Sequence, residues 1–255
     1  MAAWKQVQQR GAMMGKIPQR PEEIFEAFRD DMKQAFGDDL RGIILYGSGA
    51  RGEYVPGRSD LNFLVTLTDA GIDNLDRSFG VVSRWKKRNV AVPLFMTRSL
   101  ILQSLDCYPI EFLNMQLHYV PIYGEDVLRG LDFDRGNLRL QLERELKGKL
   151  LHLRTGFLET EGKDKAIGRL IKVSLTAFLS LFTALLYLKG IAAPRDRKEL
   201  IRETSIVAGL DGSIFEKCLD IRENVRNPRG AEALALFKSY LRDIGKLCDY
   251  VDQME

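Results

Sequence analysis

Gly47-Ser48 and, twelve residues on, Ser59-Asp60-Leu61-Asn62 are the positions of this chain whose types and spacing could do chemistry. A strand that feeds Gly-Ser into a helix start presents backbone N–H groups and a hydroxyl to an anion. Gly47 permits a tight turn and close approach of a phosphate, and Ser48 adds a donor that rotates to suit. Arg51 and Arg58 flank the turn and could neutralise a polyphosphate. In the alternative reading the glycines only make the turn and both arginines are solvated. Ser59-Asp60 brings an acid to the top of the neighbouring strand, where phosphate and carboxylate oxygens could share one Mg²⁺ octahedron. The bland counterpart is an Asp60 that caps a turn.

The elements that must position these residues can be read from hydrophobic period. Gly42-Ile43-Ile44-Leu45-Tyr46 is a short apolar run that predicts a central strand, and Leu61 to Leu67 a second. In the second, Leu61, Phe63, Val65 and Leu67 face one way. Asn62, Leu64 and Thr66 face the other, on the side shared with Asp60. Pro21 opens an amphipathic helix through Phe36, with Ile24, Phe25, Phe28, Met32 and Phe36 as its apolar stripe. Asp69 to Lys87 predicts a helix with a ragged start. Val90 to Thr97 predicts a third strand, with Pro93 favouring a sheet edge or bulge. Arg98 to Leu105 predicts a short helix, Pro109 to Met115 a fourth strand, and Val120 to Asp126 a closing turn. From about residue 136 only helices are expected: 139–159, 164–188, 196–208, 213–223 and 231–254.

The order Gly-Ser, about ten residues, Ser-Asp-x-(Asp) on a strand, then an all-helical half resembles the polymerase-β-like nucleotidyltransferases, in particular the aminoglycoside-type and minimal members. The resemblance spans residues 40–126 by motif and 136–254 by helical texture alone. It implies a mixed-sheet α/β (α+β) domain over 21–130 followed by a helical domain over 136–255, which short loops between apolar helices make an up-and-down bundle. Residues 1–20, with no clear period, are expected to be a leader or a first helix that docks weakly. The resemblance also implies that Gly47 and Ser48 hold nucleotide phosphates, to which the local reading adds Arg51, Arg58 and Ser59, and that Asp60 and position 62 hold Mg²⁺. A third acid is expected near Ala91 or Val92, as general base or metal ligand. The chain departs from the pattern twice, with Asn62 for the second acid and Ala91-Val92 for the third.

Those departures bear on charge. Two cations about 3.5–4 Å apart need several negative groups between them. An amide oxygen can ligate Mg²⁺ but cannot offset its charge. Glu111, inside an apolar stretch, is the candidate substitute base; its alternative is an acid satisfied by a nearby arginine such as Arg98. The expected function is therefore a nucleotidyltransferase-fold protein that binds ATP or another nucleoside triphosphate with Mg²⁺, kept as a low-activity, regulatory or interaction member. One alternative is an active enzyme moving a nucleoside monophosphate to a hydroxyl of a small molecule or protein, with Asp60, Asn62 and Glu111 as its catalytic set. Another is an antitoxin-like binding partner, and a homo-oligomer stays open.

Bulk properties exclude more than they assign. A net charge of +3 from 38 basic and 35 acidic residues gives no case for nucleic acid, although a local patch could hide inside the average. The clusters Arg84-Trp85-Lys86-Lys87-Arg88 and Arg195-Asp196-Arg197-Lys198 read as solvated helix ends. Three scattered cysteines, Cys107, Cys218 and Cys248, fit reduced thiols of a cytoplasmic protein. The uncharged run Val173 to Leu188 falls short of the roughly 20 residues of a membrane span and is expected to be a central bundle helix. His118 and His152 have no arginine at the spacing that a helical ribonuclease of the type paired with such domains would need.

Overall fold

In the computed structural model, which describes residues 16–254, the chain divides into two units. The first is Met1–Leu105 with Met115–Asp132; the second is Asp106–Asn114 with Phe133–Glu255. Of the leader expected at 1–20, residues 1–15 lie outside the described ones. The rest of it is tied to the first unit, because the Lys16 carbonyl accepts from Arg88 Nε at 3.0 Å and the Pro18 carbonyl from the Tyr54 hydroxyl at 3.0 Å.

Pro21 starts a 3-10 turn, Pro21–Ile24, which runs into helix α1, Phe25–Phe36. Ile24, Phe28, Met32 and Phe36 recur every fourth residue and are at most 2% exposed, so one face of the helix is removed from water. That face meets Leu61, Phe63, Val65 and Leu67, one side of strand β2, Asn62–Leu67, and its lead-in. Phe28 stacks on Phe63 at 4.2 Å between centroids and takes the edge of Trp85 at 5.4 Å. Burying each such side chain contributes roughly 1.5–3 kcal/mol. Strand β1, Leu40–Tyr46, pairs antiparallel with β2. Helix α2 is the single turn Ser48–Arg51 between them.

Past β2 the expected ragged helix resolves into α3, Asp69–Asp73, a 3-10 turn at Leu75–Ser78, and α4, Phe79–Lys86. At the basic end of α4, Lys86 and Lys87 are solvated as expected, but the flanking arginines are not. Arg88 is only 6% exposed, lies 4.7 Å over the Trp85 ring, and Arg84 and the Trp85 indole N–H both reach Asp31 of α1. The third strand is shorter than expected: β3 is Leu94–Met96, parallel to β2. Leu61 bridges Val90 and Leu64 pairs Leu94, so the edge carries one extra residue around Pro93.

Two segments exchange roles relative to the sequence expectation. After α5, Arg98–Gln103, the segment Pro109–Leu117 is not a strand but helix α6, and 119–124 is not a turn but strand β4, Tyr119–Gly124, antiparallel to β1. The sheet order is β3-β2-β1-β4. Pro121 sits on β4 because that strand is an edge, where one face of the backbone needs no ladder donor.

The second unit packs α7, Arg135–Glu159, α8, Asp164–Leu188, α9, Arg197–Ala208, α10, Gly212–Arg222, and α11, Ala231–Asp252, together with α6. Asp134, Asp196 and Asp211 each accept backbone N–H groups at a helix start, which settles donors with no intrahelical partner. Asp196 thus turns the second basic cluster into a capped helix entry. Helix α8 has 25 residues, longer than its uncharged run, and by length and composition it could cross a bilayer. Over its most apolar stretch 56% of residues are buried in the bundle, among them Phe178, Phe182 and Leu186. Phe178, Phe182, Phe215, Phe237 and Tyr240 meet edge to face, and the Tyr240 hydroxyl finds Ser174 Oγ at 3.1 Å.

Candidate functional site

Strand β1 delivers Tyr46 opposite Asn62 and then breaks at Gly47. Gly47 has φ 74° and ψ −148°, a region that essentially only glycine occupies. Its carbonyl accepts the N–H groups of Ala50 and Arg51, and the Ser48 carbonyl accepts that of Glu53 at 3.0 Å. The chain therefore folds into one helical turn whose first N–H groups, at Ser48 and Gly49, have no intrahelical partner. A Cβ on Gly49 would lie 3.0 Å from the Leu61 side chain, so the turn rests directly on the start of β2.

Asn62 is the residue that faces this turn. Its Nδ2 lies 3.2 Å from where a Gly47 Cβ would be and makes a long 3.5 Å contact with the Asp60 carbonyl. Asp60 itself is exposed, and the Tyr54 phenol nearby is pushed above its ordinary range, by burial first and then by the Glu23 and Asp60 carboxylates. Burial likewise raises the Tyr46 phenol. Gly47, Ser48, Asp60 and Asn62 thus come together at one end of the β1–β2 pair. Tyr54 joins them, and nothing in its sequence context pointed there.

The remaining candidates are placed differently. Ser59 closes a turn: its hydroxyl accepts the Val55 N–H at 3.1 Å and its own N–H donates to the Val55 carbonyl. Arg51 and Arg58 are exposed on either side of that loop. Glu111 stands on helix α6 in the second unit, not on a strand of the sheet. Its carboxylate accepts Gln141 Nε2 at 2.7 Å, while Gln141 Oε1 accepts the Ile110 N–H at 2.8 Å, so both bonds fasten the first turn of α6 to α7. The arginine considered as its partner, Arg98, pairs instead with Glu125 at 2.9 Å.

A metal can be tested against this donor set. The Ala91 N–H donates to the Leu61 carbonyl at 3.0 Å, which fixes a methyl group beside the Asp60–Asn62 segment where a further acid was expected. Among the described residues no group of three His, Cys, Asp or Glu side chains could hold an ion. One carboxylate and one amide oxygen fit a single Mg²⁺ that arrives with its phosphates, but not a pair of ions.

No protein-family model matches the chain, and no curated protein matches it significantly. Among solved structures it is similar to the spectinomycin adenyltransferase AAD(9) from Enterococcus faecialis, determined with ATP and spectinomycin. The identity is 14%, the TM-score 0.52, and the match covers 91% of this chain and 99% of that one. A likeness over nearly the full length of both chains concerns the fold of the sheet unit and of the helical unit alike.

Proposed function

We propose that this chain, which has the fold of a nucleotidyltransferase, binds a nucleoside triphosphate with one Mg²⁺ and transfers nucleotide weakly or not at all, serving as a regulatory or interaction member. The Ser48 and Gly49 N–H groups and the Ser48 hydroxyl would receive phosphate oxygens, with Arg51 and Arg58 offsetting their charge. Asp60 and the amide of Asn62 would hold Mg²⁺, which supplies charge neutralisation along the polyphosphate. The observation that carries the reading is Ala91, held against Leu61 by a 3.0 Å main-chain bond, because no proton acceptor stands there to activate a hydroxyl. Titration calorimetry with ATP, with and without Mg²⁺, tests it alongside a transfer assay over a panel of hydroxyl acceptors. Mg²⁺-dependent binding that Asp60→Ala abolishes, without turnover, supports the reading; rapid transfer refutes it.

A second reading, an active transferase acting on a small hydroxylated acceptor, draws support from the structural neighbour having been solved with ATP and spectinomycin. It would need Glu111 as base, and Glu111 already accepts from Gln141. If Glu111→Gln leaves a measured transfer rate intact, that assignment of the base fails.

A further inference from the structure

The helical unit carries a groove of about 390 Å³ between α7 and α11, lined by Arg154, Lys238, Leu241, Arg242, Gly245, Lys246 and Asp249. Its lining holds four cations and one carboxylate, so it is locally basic even with one of the cations paired to a buried acid. Arg154, Lys238 and Arg242 are exposed and have no ion-pair partner among the described residues. Lys246 is held in place: its ammonium lies 2.8 Å from Asp243, a carboxylate only 2% exposed that also accepts the Asp211 N–H. The set therefore mixes one fixed cation with three whose charge is not neutralised by the protein.

Two local choices here oppose helix stability. Lys238, Arg242 and Lys246 stand four residues apart on one face of α11, about 6 Å from one to the next, and like charges at that spacing repel. Gly245 occupies a helix interior, where alanine would be favoured, and a Cβ there would meet nothing within 4 Å. Packing thus gives no reason for glycine, whereas the missing Cβ leaves the floor of the groove open. Unfavourable local choices that converge on one surface are the mark of a site rather than of a solvated face.

We propose that this groove binds a compact polyphosphate, independently of any nucleotide held at Gly47 and Asp60. Guanidinium forks from two helices can grip phosphate oxygens bidentately while Lys238 and Lys246 act as point charges. The lining offers no aromatic ring on which a base could stack and a single apolar side chain, Leu241, which disfavours single-stranded nucleic acid and an apolar-anchored peptide.

The test is calorimetric titration of the full chain with inorganic tripolyphosphate in Mg²⁺-free buffer at about 0.1 M salt, where charges remain unscreened over about 10 Å. Wild type and Asp60→Ala should bind alike, whereas Lys238→Glu/Arg242→Glu should bind at least tenfold more weakly. Gly245→Ala, which leaves charge unchanged and favours the helix, should weaken binding severalfold, so a misfolded charge reversal would not hide the answer. ATP in the Asp60→Ala background separates the sources: tighter than tripolyphosphate indicates a nucleotide tail, equal affinity a bare polyphosphate. No binding by wild type, equal binding by the reversal variant, or tighter binding of a single-stranded oligonucleotide overturns the assignment.

Discussion

Replacing Gly47 by alanine tests whether the β1–α2 turn is held as described. At φ 74° and ψ −148° an alanine backbone is strained by about 1–3 kcal/mol. Alanine also lowers the entropy of the unfolded chain, which returns about 0.4–1 kcal/mol. The new methyl would come 3.2 Å from Asn62 Nδ2, which can yield by a small rotation, so contact adds little. With both effects taken at mid-range the net loss is about 1.3 kcal/mol, and with a urea slope of about 2 kcal/mol per molar the midpoint should fall by about 0.6 M. Trp85 is 3% exposed in the core of the sheet unit, so its fluorescence in a Trp4→Phe background follows that unit alone. Nucleotide affinity should drop in the same variant, since relaxing the turn re-aims the N–H groups of Ser48 and Gly49. A midpoint unchanged within about 0.2 M would show that Gly47 is not locked in this conformation and that the Ser48 and Gly49 N–H groups are not fixed as a phosphate cradle.

Restoring carboxylates should strengthen the metal side of the site: Asn62→Asp should tighten Mg²⁺-ATP binding roughly tenfold, and Asn62→Asp/Ala91→Glu should raise any transfer rate further, both read by calorimetry and product formation. Gln141→Ala removes the acceptor of the Ile110 N–H and the donor to Glu111, and should destabilise the helical unit by about 1–3 kcal/mol in a denaturant melt. Alkaline pH should weaken that unit too. Burial pushes the Cys218 thiol up from 9.0 to about 12 and raises the Tyr240 phenol. Stability from these neutral groups is complete below pH 9 and declines as pH climbs towards 12, so the urea midpoint should fall over that window and fall less in Tyr240→Phe. In the native protein a thiol reagent at pH 8 should label the exposed Cys107 alone, slowly because Asp106 raises its thiol, while the buried Cys218 and Cys248 react only after unfolding.

The sheet and the site were legible in the sequence to different depths. Strands β1 and β2 announced themselves because Ile43 to Leu45 and Leu61 to Leu67 are short apolar runs, which the structure buries on both faces. The bundle was legible through its long helical period. Pro109–Leu117 was not, because a short apolar run fits a buried strand or a helix turn equally, and its deciding signals are Pro109 at the first helical position and Glu111 two residues on. Strand β4 hid behind Pro121 and Gly124, residues that usually end strands and here belong to a sheet edge. At the site, the Gly47–Ser48 turn and Asp60 stood out by residue type. The Gln141 grip on Glu111 could not, since it joins positions thirty residues apart.

The segment 106–114 belongs with the helices although the sheet claims the chain on both sides of it. During synthesis on the ribosome, everything the sheet unit needs has been made once Asp132 is added. Helix α6 then waits for partners not yet translated: Gln141 for the Ile110 N–H, and the Ser180 carbonyl for the amide of Asn114. Until residue 180 is made, forty-eight residues after Asp132, these partners are incomplete, and Ile110, Phe112 and Leu113, buried in the finished protein, offer a chaperone its target. Severing the chain after Asp132 makes that transient state permanent, so the sheet unit alone should prove less soluble than the intact chain.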